Sequence, residues 1–218
     1  MGFYYVYGKN RENILDHIVQ VLENEGFRDI KVGEYYISFK NFAPCYKKRL
    51  GIFVNAVDAL SLFLCDKHEE NEKPEGIEHY SWFRFCNGIV LCCVNDEHIS
   101  LFSLDILRRV DKEWFSHFGF YKVVDFDNNP IGLLVWDYHK VYYYSNGKII
   151  LDIYKPHCSY LRDQTLITAP IFIVYKNMIL GKLKGILSGN GFRDGVAYNY
   201  KYGNEIYVLS RFYLFRIE

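Results

Sequence analysis

The chain has 218 residues, half of them hydrophobic, with 26 basic against 26 acidic side chains and a formal net charge of zero. That length and apolar content suit a folded globular protein with a sizeable core and exclude a disordered tail. The balanced charge gives no global electrostatic reason for nucleic acid, an anionic membrane or an acidic substrate to be the main partner.

The first element predicted is an amphipathic helix from Asn10 to Glu25, where Ile14, Ile18, Val21 and Leu22 recur at helical spacing with Glu12, Asp16, Gln20 and Glu23 between them. Asn10 is placed to cap its start, and Gly26 stands where a helix ends in a left-handed residue. Beyond Gly26 the period falls to two, which predicts one strand over Lys31–Phe39 and another over Leu50–Val54. A loop holding Pro44 and the basic cluster Tyr46-Lys47-Lys48-Arg49 joins them. Leu60–Cys65 is the next strand. The charged run from Asp66 to Gly76, His68 included, reads as a solvated connector rather than a metal cluster. It divides a helix-plus-strands region, residues 1–66, from a β-rich region, residues 77–218, whether these are two units or one continuous domain.

In the middle of the chain, Asn87-Gly88 between Ser81–Cys86 and Ile89–Val94 predicts a local hairpin. Ile99–Leu104 extends it as a meander, and Asp111–Phe118, with Trp114, reads as a short turn of helix. Turn signals at Asp127–Pro130 and Ser145–Lys148 separate strands at Leu133–Trp136, Val141–Tyr144 and Ile149–Leu151. The last block runs from Ile171 to Ile217, with Gly181, Gly185, Gly189, Gly191 and Gly195 read as turn residues. Gly26-Phe27-Arg28-Asp29 recurs as Gly191-Phe192-Arg193-Asp194, a match too short to establish a repeat. The expected fold is α+β and β-dominated: an N-terminal amphipathic helix packed on antiparallel strands, followed by a hairpin-rich β-sandwich or β-roll.

No catalytic constellation emerges. The cysteines at 45, 65, 86, 92, 93 and 158 follow no disulfide or zinc spacing and read as reduced thiols, with Cys92 and Cys93 on opposite faces of one strand. The opening Met1-Gly2-Phe3-Tyr4-Tyr5 does not read as a secretory signal. His157-Cys158-Ser159 are neighbours in sequence, which seldom converge as a nucleophile and its base. Gly185–Gly191 lacks the Gly-Lys-Ser/Thr ending of a phosphate loop, and the aspartates at 105, 111, 125, 127 and 137 are scattered. The expectation is a non-enzyme without cofactor or metal, and its apolar runs are too short to span a bilayer as helices.

Twenty Tyr and seventeen Phe are the chain's most unusual investment. Aromatic rings favour half-buried strands, and Tyr is also enriched where one protein meets another. In each alternating run one face looks away from the core, which nominates Tyr35, Tyr36, Tyr142, Tyr143, Tyr144, Tyr198, Tyr200 and Tyr202 as an interaction surface.

The strand segment His79-Tyr80-Ser81-Trp82-Phe83, the Asn87-Gly88 turn, Ile89-Val90-Leu91 and Ser100–Leu107 form one pattern. Gly181-Lys182-Leu183-Lys184-Gly185, Tyr202-Gly203-Asn204-Glu205 and Ile206-Tyr207-Val208-Leu209 form a closing one. In both, and in its opening helix and glycine, the chain resembles a family of tailed-phage virion structural proteins. The resemblance implies a component of the tail, neck or baseplate, synthesised in the host cytoplasm and built into the virion as a homo-oligomer beside other virion proteins. The rival reading is a small soluble binding or inhibitor module that engages a host protein through the same aromatic surface.

Overall fold

A computed structural model describes residues 2–7, 11–40, 48–56, 59–66, 75, 79–84, 89–94, 98–107, 112–136, 141–145, 148–150, 153–154, 168–189, 199–202, 205–210 and 213–216. After strand β1 (Gly2–Tyr7) comes the one helix among the described residues, α1 (Arg11–Asn24). Ile14, Leu15, Ile18, Val21 and Leu22 are buried along one stripe of α1 while Asp16, Gln20 and Glu23 face solvent, as the periodicity predicts. Gly26 ends it at φ 80°: its N–H donates to the Glu23 carbonyl and that of Phe27 to the Leu22 carbonyl, two bonds that cap the last turn. Asn10 lies outside the described residues.

The stretch read as one strand over Lys31–Phe39 is two. β2 (Lys31–Val32) turns back through Gly33 and pairs with β3 (Tyr36–Lys40), with the Gly33 N–H donating to the Tyr36 carbonyl at 2.8 Å. β4 (Arg49–Ala56), β5 (Ala59–Cys65) and β6 (His79–Arg84) complete an antiparallel five-stranded sheet in the order β2-β3-β4-β5-β6. Its alternation is clean. Ile37, Phe39, Leu50, Ile52, Val54, Leu60, Leu62 and Leu64 point into one core; Tyr36, Ser38, Phe63 and Cys65 occupy the other face.

The second sheet holds thirteen strands among the described residues, all its pairings antiparallel, and curls into a half-barrel. β7 (Ile89–Val94) lies between β1 and β8 (His98–Leu107), so β6 and β7 belong to different sheets and the hairpin expected at Asn87-Gly88 does not form between them. A two-residue turn signal is a local preference. Here each strand takes up a ladder of five or six residue pairs with other partners instead. The short helix expected over Asp111–Phe118 is also overturned: β9 (Lys112–Val124) is continuous and pairs with β8 from Leu107↔Lys112 to His98↔Tyr121. Trp114, Phe115, Phe118 and Phe120 are strand formers, and a long partner strand decides the matter.

β10 (Pro130–Trp136) and β11 (Val141–Ser145) follow, and β12 (Lys148–Ile150) closes on β11 with Ser145 opposite Lys148, the two-residue hairpin that Asn146-Gly147 predicts. After β13 (Ile153–Tyr154) and β14 (Thr168–Tyr175), β15 (Met178–Gly189) runs unbroken through Gly181, Gly185 and Gly189. These glycines are therefore not turns. A side chain at Gly181 would strike the Val124 carbonyl, and Gly185, at φ 74°, sits in the irregularity where β15 leaves β9 and takes up the C-terminal strands. β16 (Asn199–Tyr202), β17 (Glu205–Ser210) and β18 (Tyr213–Arg216) form that final meander, with Tyr202 opposite Glu205 across the predicted turn.

Alternate residues of the large sheet feed two cores. Ile99, Phe120, Leu133, Val135 and Tyr144 join α1 and the small sheet, while Tyr121, Val123, Leu134, Trp136 and Tyr143 pack with Ile171, Ile173, Leu183 and Ile186 in a second core. This double burial is why Leu133–Trp136 reads as an unbroken apolar run. The molecule is thus α+β and strongly β-dominated, its helix packed on antiparallel strands.

Candidate interaction surface

The β9–β10 turn is built by one carboxylate. Asp125 accepts from the Asp127 N–H at 2.9 Å, the Asn129 N–H at 2.8 Å and the Asn129 side-chain amide at 3.0 Å. The Asp125 N–H donates to the Asn129 carbonyl, and Asn128 takes a left-handed φ of 66°. The Asn129 side-chain hydrogen bond, then its backbone N–H, hold the Asp125 carboxyl below its ordinary pKa, with the charge of Lys182 a smaller help. The turn expected at Asp127–Pro130 therefore starts two residues earlier, and Phe126 is carried inside it.

A second tight turn stands beside the first. Tyr175 pairs with Met178 around Lys176 and Asn177, whose φ values of 46° and 63° fit the mirror-image turn that suits a twisted hairpin. Val123 and Val124 of β9 pair with Leu183 and Lys182 of β15, so counting outward along this register sets Phe126 level with Leu180. Both turns lie at one end of the large sheet, and the second reaches further out.

That end exposes apolar bulk. Among the described residues four large hydrophobic side chains are exposed, and three of them are Phe126 at 63 %, Met178 at 59 % and Ile179 at 48 %. The fourth, Val32, lies apart on β2. Asp127 and Lys176 are exposed at the same two turns. Apolar residues held on short, hydrogen-bonded turns cost little entropy to immobilise, which is what a protein-binding anchor requires.

The sequence-nominated tyrosines lie elsewhere. Tyr36, Tyr143 and Tyr144 are buried, at 6 %, 2 % and 2 % exposure, so they are core residues and not an outward surface. The strand alternation is real, but both faces are covered. Tyr35 and Tyr142 are half-buried against those cores, Tyr200 and Tyr202 belong to β16, and Tyr198 lies outside the described residues. Phe126, Met178 and Ile179 were missed because each adjoins a turn signal; a large apolar residue within or directly after a turn is the clue that could have found them.

The basic cluster is neutralised where it is described. Lys48 pairs with Asp66 at 2.8 Å, and Arg49 forks onto Asp29, its Nη1 at 2.8 Å from the carboxylate, while also donating to the Ser38 hydroxyl and carbonyl and to the Asp29 carbonyl. Burial pushes the Asp29 carboxyl up, but Arg49 and then Lys40 outweigh it and hold it below its ordinary value. Cys65 is a buried free thiol, pushed up to about 11 by burial and so protonated at neutral pH. His68, His157 and Cys158 lie outside the described residues.

Among the described residues no helix is long and apolar enough to cross a membrane. No protein-family model matches the chain, and no curated protein matches it either.

Proposed function

We propose that this chain is an assembly protein that works by holding other protein surfaces, and that it serves as a structural component of a tailed-phage virion. The observation that carries the assembly role is the exposed apolar end formed by Phe126 in the β9–β10 turn and by Met178 and Ile179 directly after the β14–β15 turn. The patch is small, in keeping with contacts that gain strength by repetition rather than by area. The virion setting is what the resemblance of the strand pattern implies, with other virion proteins and further copies of the chain as neighbours.

The test is mass spectrometry of purified, cross-linked particles from the source that encodes the chain. Peptides of this protein cross-linked to tail, neck or baseplate components are the expected result. Its absence from particles, with recovery of a host protein bound to the isolated chain, would overturn the virion reading and favour the binding module.

A further inference from the structure

The large sheet splits where β15 leaves β9, and two strand ends meet at the split. β8 and β15 follow one another along one edge of β9: β8 reaches as far as His98↔Tyr121, then Val123 and Val124 pair with Leu183 and Lys182, while β10 occupies the opposite edge over the same residues. In the same way β9 and β18 follow one another along one edge of β15. Beyond Leu183 and the left-handed Gly185, β15 pairs from Ile186 to Ser188 with Phe215, Leu214 and Tyr213, and β14 holds its other edge. The first residue of β8 and the last of β18 therefore come to one gap, where no backbone ladder joins them among the described residues.

A side chain bridges the gap. His98 is fully buried, and its Nε2 lies 3.1 Å from the carbonyl of Arg216, 118 residues away in sequence. Because a carbonyl can only accept, Nε2 carries the proton and donates. The ring lies against Tyr121, centroids 6.1 Å apart, and Tyr121 meets Trp136 edge-on at 6.0 Å. The imidazole is thus set in the second core on one side and grips the end of β18 on the other. The remaining attachment of the C-terminal strands is short. Among the described residues β16 and β17 pair only within their meander, and β18 reaches the rest of the sheet through three residue pairs, against ten between β8 and β9.

We infer that β16–β18 is a flap latched by His98: the three strands lift from β15 as a unit while both cores stay folded, and the imidazole-carbonyl bond sets how often they do. Units joined by few pairs open below the free energy of global unfolding, and a carbonyl that loses its donor in a buried site favours the open form. The inference concerns the motion of the chain's own last strands and holds whatever the protein assembles with.

Hydrogen exchange of the whole chain, read by mass spectrometry in peptides covering each strand, is the test. In the parent the amides of β16–β18 are expected to exchange together and at least about tenfold faster than those of β9 and β10. His98→Phe keeps a ring against Tyr121 but removes the donor, and should speed β16–β18 by about a further tenfold while leaving β3–β5 unchanged. His98→Gln keeps an N–H donor and should stay within about threefold of the parent. Carbethoxylation of the parent by diethyl pyrocarbonate needs no variant, and it decides the matter if His98→Phe does not fold. The imidazole is reached only when the flap is open, so His98 should be shielded, relative to a free histidine peptide, by the same factor as the β16–β18 amides, to within about threefold.

Protection of β16–β18 equal to that of β9 and β10 overturns the inference, as does a His98 that reacts far faster than the flap opens. Exchange that His98→Phe speeds equally in every strand would make His98 an ordinary core residue. Exchange in β16–β18 that His98→Phe leaves unchanged would show the flap held by other groups, and either result overturns the latch.

Discussion

Gly51 shows how aromatic rings help to cover a sheet face in this chain. It stands opposite Phe63 across β4 and β5, and a Cβ placed on it would run into the Phe63 ring. Gly33 under Tyr36 and Gly132 under Tyr143 repeat the arrangement. In each the ring lies down over a residue with no side chain, which buries the ring and shields the backbone beneath. Gly51→Ala is therefore expected to destabilise the protein by about 2 kcal/mol through overpacking, read as a lower denaturant midpoint with an unchanged slope. On the same face Tyr36 and Cys65 have pKa values raised, Tyr36 by burial and then by its Cys65 neighbour, Cys65 by burial first. A group whose folded pKa is raised contributes stability that is complete below its unfolded value and is lost as pH rises through the folded one. Stability should fall between about pH 8 and about pH 11, and Cys65→Ala should flatten part of that slope in chemical denaturation at stepped pH. The tyrosine content was legible as a sheet signal, yet which tyrosines point outward was not. Strand alternation places Tyr143 opposite Tyr144 in face but does not reveal that each face has its own core.

At the scale of elements, periodicity located most strands and α1, because an apolar face leaves its period in the residues. Pairing was legible only where the turn is short and has no competitor. Asn146-Gly147 and Gly203-Asn204 each join strands that pair directly, whereas Asn87-Gly88 separates strands that find larger partners in two different sheets. The unbroken run through Gly181, Gly185 and Gly189 failed for a related reason. A glycine needed for close approach to β9 is indistinguishable in sequence from a glycine needed for a turn. The β9–β10 turn supplies its own test. Asp125 has a lowered pKa, so its share of the turn's stability is present above its unfolded value and is lost as pH falls through the folded one. Asn129→Ala removes the first cause of that lowering, and the Asp125 carboxyl resonance is expected to titrate closer to an ordinary carboxylate.

For the whole molecule the decisive fact is that α1, the small sheet and the large sheet contribute to one continuous core. Phe39 is its pivot: its ring meets Phe27 edge-on at 5.7 Å and Phe120 at 6.3 Å. Phe39→Ala should cost about 4 kcal/mol, and the helix and both sheets should melt together. The check is coincidence of the far-UV circular dichroism and tryptophan fluorescence transitions in the parent and in the variant.

The pairing of β1 with β7 also orders events during synthesis. Gly2–Tyr7 emerges before its partner Ile89–Val94, which is made only after α1 and every strand of the small sheet. The growing chain can complete the small sheet while β1 has no ladder to join, and closing that long loop comes late. Until then the nascent protein carries a six-residue aromatic strand, Gly-Phe-Tyr-Tyr-Val-Tyr, with both edges open. That interval is when the chain is most exposed to pairing with the wrong partner.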